Sequence, residues 1–226
     1  MKIAITRLEN KAAGDRALCA SYGHDCYTVS PLRAELRMDR VAAFVEAVHR
    51  GEFDCLFFSS ALPAAIVGPK LERWPRVIAI GPKTAEVLRG FGIEAEVLPT
   101  FYSRDFVPYL GEWLRGRTVG IPRADVPNPG LLGAIADAGG TVREERVYAL
   151  IPTETELALD AADAVLFTSA MSYREARWQP RGDLLLVAIG EITADAMRAG
   201  GHPPAVVGDG SLAGTLEALN RYAEGR

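Results

Sequence analysis

The sequence predicts an α/β protein that consists of two doubly wound parallel-sheet domains produced by internal duplication. Two motifs predict the duplication because each occurs twice. Residues 54–61 read Asp-Cys-Leu-Phe-Phe-Ser-Ser-Ala and return at 163–170 as Asp-Ala-Val-Leu-Phe-Thr-Ser-Ala. Residues 78–85 read Ile-Ala-Ile-Gly-Pro-Lys-Thr-Ala and return at 187–194 as Val-Ala-Ile-Gly-Glu-Ile-Thr-Ala. Both repeats have an offset of 109 residues (163 − 54 and 190 − 81), which indicates two copies of one structural unit with a ligand site expected between them.

A fainter repeat precedes each of these longer segments. Residues 2–7, Lys-Ile-Ala-Ile-Thr-Arg, resemble residues 118–123, Thr-Val-Gly-Ile-Pro-Arg. The chain therefore reads as a short segment, a long one, and then a second copy of each. Its 226 residues fit one large domain or two domains of about 110 residues.

Short apolar runs alternate with helical patterns along the whole chain. The expected strands are Ile3–Thr6, Cys55–Phe58, Val77–Ile80, Thr118–Ile121, Val165–Thr168 and Leu184–Ile189. The expected helices lie near Ala12–Ser21, Asp39–His49, Lys83–Arg89, Arg104–Leu114, Leu131–Ala138, Thr193–Ala199 and Leu212–Tyr222. Several strands are apolar without alternation, as strands covered on both faces should be. Strand–helix alternation predicts parallel sheets with helices on both faces.

The order of the segments leaves two ways to assemble the domains. Each short segment could join the long segment that follows it, which gives two sequential domains. Alternatively, the two ends of the chain could form one domain and the middle the other. The second arrangement requires two crossings, near Leu32–Leu36 and Val147–Thr153, where short extended segments could pair as a hinge.

Composition limits the classes of function. The formal net charge of −4 does not favour nucleic acid or an acidic membrane. Met1 leads directly into a strand-like run and no run of about 18 apolar residues follows, so a cytoplasmic protein without a targeting or membrane segment is expected. The three cysteines, Cys19, Cys26 and Cys55, lack metal spacing and are expected to be buried, reduced thiols. The glycine patterns that bind nucleotide phosphates are absent, so no nucleotide cofactor is expected.

Candidate ligand-binding residues follow the carboxyl ends of the repeated strands, where open parallel sheets bind ligands. Backbone N–H groups at the start of the following helices could hold carboxylates or phosphates. Helix capping alone is the competing explanation for the hydroxyl residues. The candidates are Ser59, Ser60, Gly81 and Thr84 in the first copy, and Ser169, Gly190 and Thr193 in the second.

Three further side chains are candidates for binding or catalysis because of their positions in the sequence. Arg7 and Arg123 end the matching short strands and could bind carboxylates, or could simply be solvated at the surface. Tyr148 lies at the second crossing, where a phenol could donate a proton. Packing of its ring at a domain junction is the alternative.

The paired Phe-x-Ser-Ser/Thr-Ser-Ala and Ala-Ile-Gly-x-x-Thr-Ala motifs, together with Val147-Tyr148, resemble the uroporphyrinogen-III synthase family. The resemblance implies the interleaved arrangement, with flavodoxin-like domains and a two-stranded linker. One domain would comprise residues 1–32 and 153–226, the other residues 36–147. Residues 33–35 and 148–152 would form the linker.

The resemblance also implies a reaction. The substrate would be hydroxymethylbilane, a linear tetrapyrrole with eight carboxylates. Loss of its hydroxyl gives an azafulvene, the far ring attacks to form a spiro intermediate, and reclosure inverts that ring to give uroporphyrinogen III. The resemblance implies no metal or organic cofactor. A monomer is expected, because two domains that close on a ligand require no partner subunit. The upstream hydroxymethylbilane synthase is a possible protein partner.

The resemblance assigns roles to individual residues. Tyr148 would assist departure of the hydroxyl, and Gly190 and Thr193 would bind substrate in a cleft loop. Ser59, Ser169 and Thr84 would be substrate-facing hydroxyls, whereas the loop that begins at Arg123 departs from the family pattern. Two other functions compete: a cytosolic two-lobed binder or sensor, and a nucleotide-dependent transferase.

Overall fold

The computed structural model describes residues 1–8 and 14–225. The chain folds into two compact units. Unit 1 comprises Met1–Ala34 and Ile151–Arg226, and unit 2 comprises Glu35–Leu150. The predicted helix near Ala12–Ser21 lies partly outside the described residues.

Strands and helices alternate along the described chain. The strands are β1 (Lys2–Thr6), β2 (Asp25–Val29), β3 (Leu32–Leu36), β4 (Cys55–Phe58), β5 (Arg76–Ala79), β6 (Glu96–Val97), β7 (Thr118–Ala124), β8 (Thr141–Pro152), β9 (Ala164–Phe167), β10 (Leu185–Ala188) and β11 (Val206–Val207). The α-helices are α1 (Asp15–Ser21), α2 (Met38–His49), α3 (Ala61–Val67), α4 (Pro82–Arg89), α5 (Phe106–Leu110), α6 (Pro129–Asp137), α7 (Ala170–Arg174), α8 (Glu191–Ala199) and α9 (Leu212–Glu224).

The sheet of unit 1 contains five parallel strands in the order β11-β10-β9-β1-β2. β1 lies between two strands that are far apart in sequence, since Ile3 pairs with both Cys26 and Ala164. The short N-terminal segment thus joins the long segment at the C-terminus.

The second sheet has the order β3-β8-β7-β4-β5-β6. The neighbours β7–β8, β4–β7, β4–β5 and β5–β6 are parallel. The run β8-β7-β4-β5-β6 repeats the order β2-β1-β9-β10-β11, with the short segment now following the long one in the chain.

Helices cover both faces of the unit 1 sheet. Ala4 packs with Val165 and Phe167 in one apolar cluster, whereas Ile3 and Ile5 belong to a second cluster. Alternate residues of β1 therefore face opposite cores, which explains its uninterrupted apolar sequence. In unit 2, a cluster on one face joins strand residues to α5 and α6; it includes Phe57, Ile78, Ile121, Phe106 and Ile135.

The helix predicted at Arg104–Leu114 is wrong as a single element. A 3₁₀ turn at Ser103–Asp105 leads into α5, and a second 3₁₀ turn follows at Gly111–Leu114. Gly111 has φ 54°, a left-handed conformation that interrupts the helical path where glycine tolerates it.

The expectation of three reduced thiols is also wrong. Cys19 and Cys26 form a disulfide with a Cα–Cα separation of 6.0 Å. The Gly23 turn, at φ 80°, reverses the chain between α1 and β2 and brings the two residues together. Cys55 is a free, buried thiol, and burial raises its pKa to about 12. In the described part of the chain, no helix has the length and apolarity needed to cross a membrane.

Candidate functional site

The glycine turn between β10 and α8 depends on a close backbone approach. Gly190 precedes α8 with an extended φ of −172°, which any residue adopts. A Cβ at this position would lie 3.3 Å from the amide nitrogen of Gly210 and 3.4 Å from its Cα. The absent side chain therefore lets the loop after β11 pack against the start of α8.

Three loops of unit 1 line a cleft of about 600 Å³ at the carboxyl ends of β9, β10 and β11. The cleft brings together three of the predicted residues, Ser169, Gly190 and Thr193. It also contains the loop Gly208–Gly210, which the sequence analysis missed. The signal for that loop was available in the sequence Gly-Asp-Gly after an apolar pair.

Ser169 caps helix α7 at the carboxyl-end edge of the unit 1 sheet. Its Oγ accepts the Ser172 N–H at 2.9 Å, and the Ser169 N–H donates to Ser172 Oγ at 3.0 Å, forming a reciprocal cap on α7. Ser172 is also hydrogen-bonded to Thr6 of β1 at 3.1 Å. The cap fixes the loop, while the Ser169 hydroxyl proton can still be donated to a ligand.

The start of α8 carries opposing electrostatic features. The first N–H groups of a helix lack intrahelical acceptors and favour anions. Glu191 occupies the first turn, and its carboxylate lies 2.7 Å from Arg198 of the same helix. Arg198 also lies 2.7 Å from Asp195, so it offsets the charge of Glu191 only in part, and Glu191 still opposes an anion at the start of the helix. Thr193 is 4% exposed.

The corresponding edge of unit 2 is more covered. Ser59 and Ser60 follow β4, and Ser60 immediately precedes α3. Gly81 precedes α4 and is buried beneath Phe101, whose Cγ would lie 3.5 Å from a Cβ at Gly81. Thr84, in the first turn of α4, is also buried. Gly81 therefore presents less open backbone than Gly190.

A register shift between β7 and β8 positions Tyr148. Arg123 pairs with Arg146, but the next residue, Ala124, pairs with Tyr148 and skips Val147. Side chains alternate between faces of a sheet, so this extra residue decides which side chain is aligned with Ala124. Ser60 lies two residues after the end of β4, and β4 pairs with the edge of β7 opposite to β8.

The phenol of Tyr148 lies in a buried environment, with 3% of the residue exposed. Burial raises the pKa of Tyr148, whereas a hydrogen bond from the Ser60 hydroxyl and the charge of Arg123 act to lower it. The phenol is thus protonated at neutral pH and can donate its proton. The Ser60 hydroxyl and the arginine charge would stabilise the phenolate that remains.

Both candidate arginines lie in internal ion pairs. Arg7 Nη1 is 3.1 Å from Asp15 Oδ1, and Arg123 Nη1 is 2.9 Å from Glu144 Oε2. Arg123 also donates to the carbonyl of Val126 and is 9% exposed. Neither residue is a solvated surface arginine. Among residues 1–8 and 14–225, no group of three or more His, Cys, Asp or Glu could hold a metal ion.

The comparisons with known proteins agree with this fold. The sequence model of the family described as uroporphyrinogen-III synthase HemD matches residues 16–212. A mutant uroporphyrinogen III synthase from the extremely thermophilic bacterium Thermus thermophilus is similar, with a TM-score of 0.58, 21% identity and coverage of 100% of both chains. The uroporphyrinogen-III synthetase from Helicobacter pylori 26695 has a TM-score of 0.65 and 16% identity, over 97% of this chain and 98% of that one. Comparison with curated proteins finds no match.

The structure is that of a parallel-sheet α/β protein with a cleft at the carboxyl ends of its strands. The chain belongs to the uroporphyrinogen-III synthase family. Members of this family are cyclising lyases of tetrapyrrole biosynthesis that act on a linear tetrapyrrole. Membership confirms the enzyme predicted from the repeated motifs and does not favour a binder without catalysis.

Proposed function

We propose that the repeated loops hold the carboxylates of hydroxymethylbilane while Tyr148 assists loss of its hydroxyl. The family supplies the reaction, in which water is lost and the terminal pyrrole ring is inverted as the macrocycle closes. The single observation that supports a role for Tyr148 is its buried, protonated phenol with a hydrogen-bonding partner in Ser60.

Positioning carries most of the proposed catalysis. The substrate is flexible and can close without inversion, so the enzyme must favour one conformation of the chain. Backbone N–H groups at the starts of α4 and α8 would bind carboxylates, together with hydroxyls at the same loops. The proposed binding residues are Arg7, Ser59, Ser60, Gly81, Thr84, Ser169, Gly190 and Thr193.

Proton transfer from Tyr148 would make the hydroxyl a better leaving group, which departs as water. The electron pair of the adjacent pyrrole nitrogen then forms the azafulvene. The resulting phenolate would recover a proton when the closing ring regains its aromaticity. The hydrogen bond from Ser60 supports this role because it favours the phenolate.

The two units also suggest a history for the fold. We propose two flavodoxin-like domains related by internal duplication: residues 1–32 with 153–226, and residues 36–147. Residues 33–35 and 148–152 would be the two linker strands. The equal strand orders of the two sheets and the 109-residue repeat support this division. The cytoplasmic location, the monomeric state and contact with hydroxymethylbilane synthase stay predictions.

The decisive experiment measures the isomer of the product. Hydroxymethylbilane is generated in situ, the protein is added, and the oxidised uroporphyrins are separated by chromatography. Isomer III should dominate over isomer I, which forms without the enzyme. Isomer I alone, from folded protein, would contradict the proposed function.

A further inference from the structure

Phe101 combines an exposed ring with an unfavourable backbone conformation. The residue is 53% exposed and has φ 62°. Phe101 and Glu154 are the two non-glycine residues with positive φ among residues 1–8 and 14–225. A bulky residue in this region is a conformational outlier, and such residues cluster at ligand-binding positions.

The ring of Phe101 lies over the Gly81 turn at the start of α4. A Cβ at Gly81 would be 3.5 Å from both Cγ and Cδ1 of the ring. The ring therefore packs against one of the repeated motifs while much of the residue stays in solvent. A core contact would have buried it.

Residues that follow Phe101 in the chain add a second exposed ring and a cation. Tyr102 is 56% exposed, and the guanidinium carbon of Arg104 lies 4.4 Å from the centroid of its ring. We call Phe101, Tyr102 and Arg104 the aromatic patch. The patch combines flat apolar faces with a cation. Exposure of aromatic rings to water is unfavourable, so a ligand that covered them would bind favourably.

The aromatic patch belongs to unit 2 alone. β6 and β11 occupy corresponding ends of the two sheets. The chain after β11 reads Gly208-Asp209-Gly210, which offers neither an aromatic face nor a cation. The repeat therefore does not account for the aromatic patch, which the corresponding loop after β11 lacks.

We propose that the aromatic patch binds one pyrrole ring of the linear tetrapyrrole. Phe101 and Tyr102 contact the faces of that flat ring, and Arg104 binds one of its carboxylate side chains. The chemistry matches, since each pyrrole joins an electron-rich planar ring to anionic arms. This inference rests on the proposal that the loops of unit 2 bind substrate. It makes the patch a determinant of how one ring is placed before closure.

Phe101→Ala and Phe101→Gly test the proposal, with Phe91→Ala as the matched control. Phe91 is also an exposed phenylalanine of unit 2 that lies against a glycine, Gly68, but it follows the C-terminus of α4. Both Phe101 variants should raise the KM for hydroxymethylbilane about tenfold with kcat changed less than threefold. Phe101→Gly should also unfold no more easily than the wild type, because glycine relieves the backbone strain. Phe91→Ala should leave KM unchanged.

The results can distinguish failure of the aromatic-patch proposal from failure of the proposed enzyme function. Wild-type protein that forms isomer III while both Phe101 variants keep a normal KM would overturn the inference alone. An equal rise in KM for Phe91→Ala would also overturn it, since the effect would then reflect general loosening of unit 2. A KM close to that of the wild type for Phe101→Tyr would support it, because tyrosine supplies the same flat face.

Discussion

The edge loops of the two units share repeated sequences but present different surfaces. In unit 1, Gly190 meets the Gly210 backbone and a cleft of about 600 Å³ opens beside small and hydroxyl side chains. In unit 2, Gly81 is buried beneath Phe101, and the phenol of Tyr148 lies near Ser60. The two sheets thus share a strand order and a repeated turn, and the residues around each turn give the two edges different surfaces.

The charged side chains at the starts of α4 and α8 also differ. The motif that begins α4 carries Lys83, whereas the residue at the same place in the second copy is Ile192, with Glu191 beside it. The edge of unit 2 can attract carboxylates through side chains. The start of α8 has no cationic side chain at the matching position, so an anion there would depend on backbone N–H groups.

The largest effect expected is on the proton donor. Tyr148→Phe should lower kcat about a hundredfold while activity stays detectable, because positioning by the loops remains. The matched control is Tyr173→Phe in unit 1, since Tyr173 is also buried and its hydroxyl lies 2.8 Å from His202 Nδ1. It should change stability rather than kcat. Steady-state kinetics and thermal unfolding of both variants distinguish these results, and equal kcat values would refute the assignment.

The two glycine turns should respond unequally to the same substitution. Gly190→Ala pushes a methyl group against the Gly210 backbone and should cost about 1–3 kcal/mol of unfolding free energy, with kcat/KM about tenfold lower. Gly81→Ala meets the side chain of Phe101, which can rotate, so its effects should be smaller. Denaturant unfolding and kinetics of the pair test this. Larger losses for Gly81→Ala would mean that unit 2 has the more closely packed turn.

The smallest effect on activity should come from the disulfide, which unit 1 alone contains among the described residues. Cys19→Ala with Cys26→Ala should lower the free energy of unfolding by about 2–3 kcal/mol, the entropy of closing a short loop. Reductant should lower the stability of the wild type but not of this variant. Thiol titration of denatured, unreduced protein should find Cys55 alone, and reaction of all three cysteines would exclude the disulfide.

The repeat made much of this fold predictable. The run Cys55–Phe58 is predicted and observed with the same bounds, because a short unbroken apolar run encodes a covered strand locally. Gly190 and Thr193 line a cleft at the carboxyl ends of the unit 1 strands, and their role in binding stays a prediction. The role of Phe101 was not predicted, because the residues beside it in the sequence do not indicate a left-handed backbone or a ring that lies over Gly81.

The amino-acid sequence by itself determined six of the strands, the repeated turns and the family, since these depend on residues close together in the chain or on motifs kept intact. Tertiary structure decided that β1 lies beside β9, some 160 residues away in sequence. It also decided that a register shift pairs Tyr148 with Ala124 and that Cys19 is bonded to Cys26. Pairing register and chain reversal depend on how separate elements pack together, and that packing is not contained in the periodicity of any one of them.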